Sequence, residues 1–354
     1  MLSVAHRAAI PWLLAHAGPS VRWQTRTSLA EDAPGDGLAQ ARRALEEDAQ
    51  VRRLLEAAAQ AVADFRFTRV HGATNTQLEN LLPMLLDRGL NRTFPAFDAV
   101  FGAVPALLRD KRYGDAHTFH SFADIVLVPF LLAAGYDDAA LTDFYTGRLS
   151  LTSGFCSRMD FDIFGEQGGY RGIPKTFRDR QVIRPALYAD GAYQFPLIYD
   201  LYGHAAMYPR LDAAGRAQID HVLRYVLAEP YQAFPFGYGI LVNPGHRARY
   251  HAMGWDCVLP KLSGGLTAPV LHRMELLAAF PLAVRSAWFQ SALRLLDAHQ
   301  EAQGVYALPP AVLQEKEACW LLGNHMGLGE NRRKPSWRLV EGTFRALRLH
   351  SRLL

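Results

Sequence analysis

The chain has 354 residues, with 38 Lys and Arg against 34 Asp and Glu, 13 His and 3 Cys. At ~150 residues per domain, that length holds one large helical domain or two smaller ones, and half of the residues are apolar, enough to build a core. A net charge of +4 is too weak and scattered for a nucleic-acid surface, and no apolar run reaches the ~18–20 residues that span a bilayer. Cys156, Cys257 and Cys319 are odd in number and far apart, so they make no disulfide framework, and a reducing cytoplasm is the expected compartment.

The N-terminal stretch to Ala30 has no acidic residue, as in an organellar transit peptide. However, the anchors Pro11-Trp12-Leu13-Leu14 and Val21-Arg22-Trp23-Gln24 predict a packed helical hairpin turning at Gly18-Pro19. Apolar residues then recur at helical spacing. The pattern predicts helices over Asp48–Phe65, over Thr76–Arg88 (stopped by Gly89), over Phe94–Leu108, over Phe119–Ala134 (stopped by Gly135) and over Asp138–Leu149. Short connections make neighbours antiparallel. From Ser150 to Arg184 the period fails in a stretch rich in Gly, aromatic and charged residues. Helices resume at Pro196–Met207, Ala214–Leu227, His272–Phe280 and Val284–His299. A second irregular stretch fills Tyr231–Pro260, a third fills Gly304–Lys334, and Ser336–Leu349 predicts a terminal helix. The alternating β-branched runs read as too short for a sheet. The expected class is all-α, with helical hairpins and long irregular inserts.

Three segments carry a resemblance. WLLAHAGPSVRWQTRTSL is similar to the opening of bacterial squalene-cyclase-repeat or prenyltransferase-like proteins. Gln300, Gly304 and Tyr306 match their Gln-xxx-Gly-x-aromatic repeat, with Tyr where Trp is usual. Pro335-Ser336-Trp337, leading into Thr343-Phe344-Arg345-Ala346-Leu347, looks like their last helix. The resemblance, to the terpenoid cyclase and protein prenyltransferase superfamily, implies a single α/α toroid over 1–354. In it, helical-hairpin repeats surround a central cavity and residues 1–70 form an N-terminal helical wrap. It does not supply the chemistry. Asp160-Phe161-Asp162 lacks the third carboxylate of the cyclase motif, Asp137-Asp138 does not continue as an Asp-rich ionising motif, and Asp256 and Cys257 are adjacent instead of spaced as zinc ligands. No metal and no organic cofactor is expected.

Several constellations could carry chemistry, each with a plainer alternative. Asp160 and Asp162 share one face of an extended segment; in an aromatic cavity one would become a general acid, and in a turn they would hold backbone N–H groups. Asp200 and His204, at i and i+4, form either an oriented imidazole relay or a surface ion pair. His117, His120 and Asp124 fall at i, i+3 and i+7, where they would bind a metal or form a proton relay, or else be solvent-facing or core-satisfied groups. Tyr199, Tyr202, Phe236, Tyr238, Tyr250 and Trp255 would line a cavity for an apolar ligand or plug the core. Gly329–Lys334 is a charged loop that would hold an anion or lie in solvent. No Walker loop, dinucleotide fingerprint, paired CxxC or HExxH occurs.

Two functions follow as expectations. The first is a cofactor-independent acid–base enzyme (cyclase, isomerase or hydratase-dehydratase) on a small apolar, isoprenoid-like molecule, using Asp160 or Asp162 as proton donor and Asp200 with His204 as relay. The second is a non-catalytic helical-repeat module that binds a protein partner. Convergence of the first two irregular stretches on one cavity mouth would favour the enzyme; separate outer faces would favour the module.

Overall fold

The computed structural model describes residues 2–30, 35–110, 121–166, 168, 170–188, 191–235, 237–243 and 249–353. It is mostly helical, 59%, with one small four-stranded sheet among the described residues. None of its described helices is long and apolar enough to cross a membrane. The chain forms two compact units, one of residues 1–107, 134–136 and 260–354 and one of residues 108–133 and 137–259.

The first unit opens with α1 (Val4–His16) and α2 (Pro19–Ser28), the expected hairpin. Gly18 caps α2 and Pro19 opens it, a position where the missing N–H costs nothing. There follow α3 (Gly35–Glu46), α4 (Ala49–Ala63), α5 (Phe67–Val70), α6 (Leu78–Asp87), α7 (Pro95–Phe101) and α8 (Val104–Arg109). Asp48 caps α4 by accepting from the Gln50 and Val51 N–H groups. The sequence pattern misses α3, whose buried stripe is only Ala41 and Leu45. It also reads α7 and α8 as one helix, because their apolar period runs on across the break at Gly102.

The second unit holds α9 (Phe122–Ala133), α10 (Ala139–Cys156), α11 (Ile198–Met207), α12 (Ala213–Leu227) and the short α13 (Glu229–Gln232). Every residue of α9 from Phe122 to Leu132 is buried, and α11 packs against it. Helix α10 runs about two turns past the expected end at Leu149, since Thr152, Ser153, Phe155 and Cys156 keep turning to the core and Gly154 is tolerated inside the helix.

The expectation of no sheet is corrected here. Strands β1 (Phe164–Gly165), β2 (Val182–Ile183), β3 (Gly239–Val242) and β4 (Tyr250–Met253) join in that order. β1 pairs antiparallel with β2, β2 parallel with β3 at Val182 and Ile240, and β3 antiparallel with β4. Strands of two to four residues carry no readable alternation; pairing between segments distant in sequence makes them a sheet. Gly239 permits the close approach of β2, since a Cβ there would lie 2.2 Å from the Gln181 carbonyl oxygen.

The chain returns to the first unit with α14 (Ala268–Leu277), α15 (Pro281–Val284), α16 (Ala287–Asp297) and α17 (Trp337–Arg352). The Ser286 hydroxyl caps α16, so the helix expected over Val284–His299 starts three residues later, and the short α15 precedes it. Leu13, Val21, Leu328, Val340, Phe344 and Leu347 build a core shared by α1, α2 and α17. The Gln300–Tyr306 motif is a tight reversal in which those two residues pair across a bridge. Gly304 at its apex has φ +76° and lies so close to α1 that a Cβ would sit 2.2 Å from the Ala5 carbonyl oxygen. Gly304→Ala should therefore lose about 2–4 kcal/mol of stability through backbone strain and steric overlap. Urea unfolding measures this, and a loss under about 1 kcal/mol would show that the reversal yields easily.

Candidate functional site

In the second unit, the carboxylates expected to donate protons lie in a turn facing solvent. Asp160 is exposed and its Oδ1 accepts from the Asp162 backbone N–H at 2.9 Å. Asp162 is 76% exposed and pairs with Arg184 at 3.3 Å. Neither enters an aromatic cavity. The two irregular stretches do converge, but on the shared sheet at Val182 and Ile240, which is neither of the two arrangements set out as tests of function.

Asp200 and His204 lie on α11, both buried. Both Asp200 oxygens are engaged by Arg148, at 2.9 and 2.6 Å, and one also accepts the Leu197 N–H at 2.8 Å. Asp200 thus closes a buried ion pair and starts its helix. The hydrogen-bond partner of His204 Nδ1 is the Tyr145 hydroxyl at 3.4 Å, not Asp200. Its Nε2 is shut off from solvent without a hydrogen-bond partner among the described residues. Burial pushes the His204 pKa down to about 4, so the ring is neutral at pH 7. The space beside it, about 10 Å³, holds about one water molecule.

Of the aromatic set, Tyr199, Tyr238 and Tyr250 are buried. The Tyr238 hydroxyl bonds Tyr231 and the Pro196 carbonyl, Tyr202 packs on Phe130 with ring centres 5.2 Å apart, and Trp255 packs on Tyr199 at 5.6 Å. These rings fill the unit's interior. Phe236, His117 and His120 lie outside the described residues; Asp124 is buried in α9. Asp256 holds the backbone N–H groups of Gly237 and Val258. Among the described residues, no three or more His, Cys, Asp or Glu side chains gather to hold a metal ion. The cysteines are free and buried, and burial pushes the Cys156 thiol upward and that of Cys319 up to about 12, so neither is a thiolate at neutral pH.

A cavity of about 250 Å³ lies in the first unit. It is assembled from three pieces of local structure. On α4, Gln50, Arg53 and Leu54 share a face by their spacing of three and four. At the end of α6, Met84 and Arg88 share another, and the Arg88 NH1 donates to the Met84 carbonyl at 3.1 Å. The third piece is a hairpin: Gln314–Lys316 runs against Asn324–Met326, closed by bonds from Lys316 N to Asn324 O and from Met326 N to Gln314 O. Its bridge places Glu315 directly opposite His325. Asn75, Lys316, Glu317 and Gly327 complete the lining. Gly327 leaves room for the carboxylate, since a Cβ there would lie 1.9 Å from Glu315 Oε1.

The electrostatics of this cavity are uneven. Glu315 Oε2 accepts from Arg332 Nε at 3.1 Å, and its Oε1 stands 3.9 Å from Arg88 NH2, beyond hydrogen-bond reach. Arg88 is 4% exposed and its Nε has no hydrogen-bond partner among the described residues. Its pKa is lowered because burial outweighs the surrounding carboxylates. His325 is also buried, and its Nε2 meets the Ala318 carbonyl at 2.8 Å. That acceptor fixes the N–H on Nε2 and leaves Nδ1 as the basic nitrogen. Burial lowers its pKa, with Arg88 acting in the same direction, so the ring is neutral at pH 7.

None of these lining residues was singled out in the sequence. The available signal was the third irregular stretch, a long non-helical run holding a histidine among charged residues. The charged loop beside it is exposed from Asn331 to Lys334, whereas Glu330 is buried and accepts from the Gly18 N–H at 2.6 Å, and the Arg332 guanidinium lies 4.3 Å above the Trp337 ring. Compared with protein-family models, curated proteins and solved structures, the chain matches none.

Proposed function

We propose that this protein is a cofactor-independent acid–base enzyme whose site is the cavity of α4, α6 and the 314–326 hairpin. The observation that carries it is His325, a buried, neutral imidazole whose Nε2 is tied to the Ala318 carbonyl and whose other nitrogen is free to take a proton. In this reading Nδ1 accepts a proton from a carbon or hydroxyl of the substrate. The negative charge left on the substrate develops beside Arg88, and the proton returns at a neighbouring atom, an isomerisation. The lining sets the charged side chains of Arg53, Arg88, Glu315, Lys316 and Glu317 beside Leu54 and Met84. That favours a small polar substrate over the isoprenoid-like molecule implied by the resemblance.

The α/α toroid remains part of the proposal. It is supported by packing of sequential helices within each unit, α1 on α2 and α4 on α6 in the first, α9 on α10 in the second. The free, buried cysteines suit a reducing cytoplasm.

The test is incubation of the protein with pooled small polar metabolites in D2O, followed by NMR. Turnover or deuterium incorporation should appear with the wild type and fall at least about 100-fold in His325→Gln, the usual worth of a general base. It should persist in Asp160→Asn and Asp162→Asn. No exchange with any substrate pool, or equal exchange in His325→Gln, would sink the reading and return weight to the partner-binding module.

A further inference from the structure

The cavity holds more positive charge than its own acids neutralise at contact distance. Arg53, Arg88 and Lys316 line it, against Glu315 and Glu317. The Glu315 carboxylate is bonded to Arg332, which is not part of the lining. Among the described residues, Arg88 is therefore a guanidinium removed from water whose hydrogen bond to the protein is the one from NH1 to the Met84 carbonyl, with the nearest carboxylate oxygen, that of Glu315, 3.9 Å from NH2. A buried guanidinium is normally paired through hydrogen bonds, because a charge taken out of water without them is strongly destabilising. A second group in the same lining is also unsatisfied: Asn75 Oδ1 is buried without a hydrogen-bond partner among the described residues. Among the described residues, Arg88 thus has no acid within hydrogen-bond distance, and Asn75 Oδ1 has no donor.

We infer that the cavity binds a small molecule through an oxyanion group, which Arg88 and Arg53 receive, while a hydroxyl or amine of the same molecule donates to Asn75. The volume of about 250 Å³ lies below the range of drug-sized ligand pockets and suits a compact metabolite. A carboxylate and a phosphate share this recognition chemistry. The inference takes its site from the functional reading above but does not depend on the proton transfer.

The probes are malonate and inorganic phosphate, each titrated into the full chain by calorimetry and by thermal shift at two salt concentrations. At least one should bind and raise the melting temperature, more weakly at high salt. Arg53→Gln, at an exposed position, should weaken that binding about tenfold with the fold intact. Arg88→Gln should abolish it, provided circular dichroism shows the variant folded. Which probe binds more tightly separates the carboxylate source from the phosphate source. Binding of neither probe, or binding unchanged in Arg53→Gln, would overturn the inference. His325→Gln separates the two ideas: retained anion binding without turnover in any protein sinks the enzyme and keeps the anion site, and turnover without anion binding does the reverse.

Discussion

Replacing Arg345 with Met should destabilise the first unit by about 3–5 kcal/mol, the cost of leaving buried charges unpaired. Arg345 has no exposed surface and sits on the inward face of α17. Its Nε and NH2 donate to the Met326 carbonyl at 2.9 and 2.6 Å, and NH1 donates to Glu275 Oε2 at 2.6 Å. Asp87 lies 3.7 Å away. Arg348, 2.9 Å from Glu275, offsets part of the loss. Methionine fills the volume but restores neither the Met326 hydrogen bonds nor the charge. Urea unfolding of Arg345→Met, Glu275→Gln and the double variant would measure the coupling. If the single variants each lose less than about 1 kcal/mol, or their losses simply add, the cluster does not hold α17 to α14. Because Met326 follows His325, loss of this clamp should also loosen the hairpin that forms the cavity wall.

Acidification from pH 6.5 towards 4 should lower stability, and His272→Gln should make the fall shallower by up to about 1.4 kcal/mol per pH unit, one proton's worth. Burial holds His272 and His204 near pKa 4 when folded, against 6.5 in the unfolded chain. The unfolded state therefore binds these protons first, and the stability due to the neutral rings, present above pH 6.5, is lost as pH falls. His6 and His325 shift in the same direction. Glu330 opposes them: burial and nearby Glu341 raise its pKa to about 7, so it favours the folded state most at low pH and loses that share as pH rises from 4.5 to 7. Glu341 is raised as well. The two strongly shifted rings, joined by two weaker ones, outweigh the pair of acids. Denaturant midpoints for wild type and His272→Gln at pH 6.5, 5.5 and 4.5 would decide it. Equal slopes would mean that His272 takes up its proton without unfolding.

Local pattern determined most of the helices and many of their ends. Asp48 and Asp138 mark helix starts because their carboxylates accept backbone N–H groups within the first turn, and Pro19 marks another because it fits the first helical position. Gly89 marks an end for a similar reason, since its φ of +88° is cheap without a Cβ. The reversal at Gln300–Tyr306 was legible as a motif, although not as the contact that presses Gly304 on α1. Non-local pairing escaped the sequence. The sheet exists because Val182 meets Ile240, and no alternation in two residues could announce that. Asp200 looked like the partner of His204 because they are four residues apart, but Arg148, 52 positions away, takes its oxygens. The cavity makes the same point. Arg88 reads as the polar end of a helix and His325 as one histidine in a loop. Only the tertiary structure brings α4, α6 and the hairpin together, withdraws Arg88 from water with its nearest acid, Glu315, beyond hydrogen-bond distance and fixes the tautomer of His325. Charge and basicity at that site are set by burial and long-range neighbours, and neither is a property of spacing along the chain.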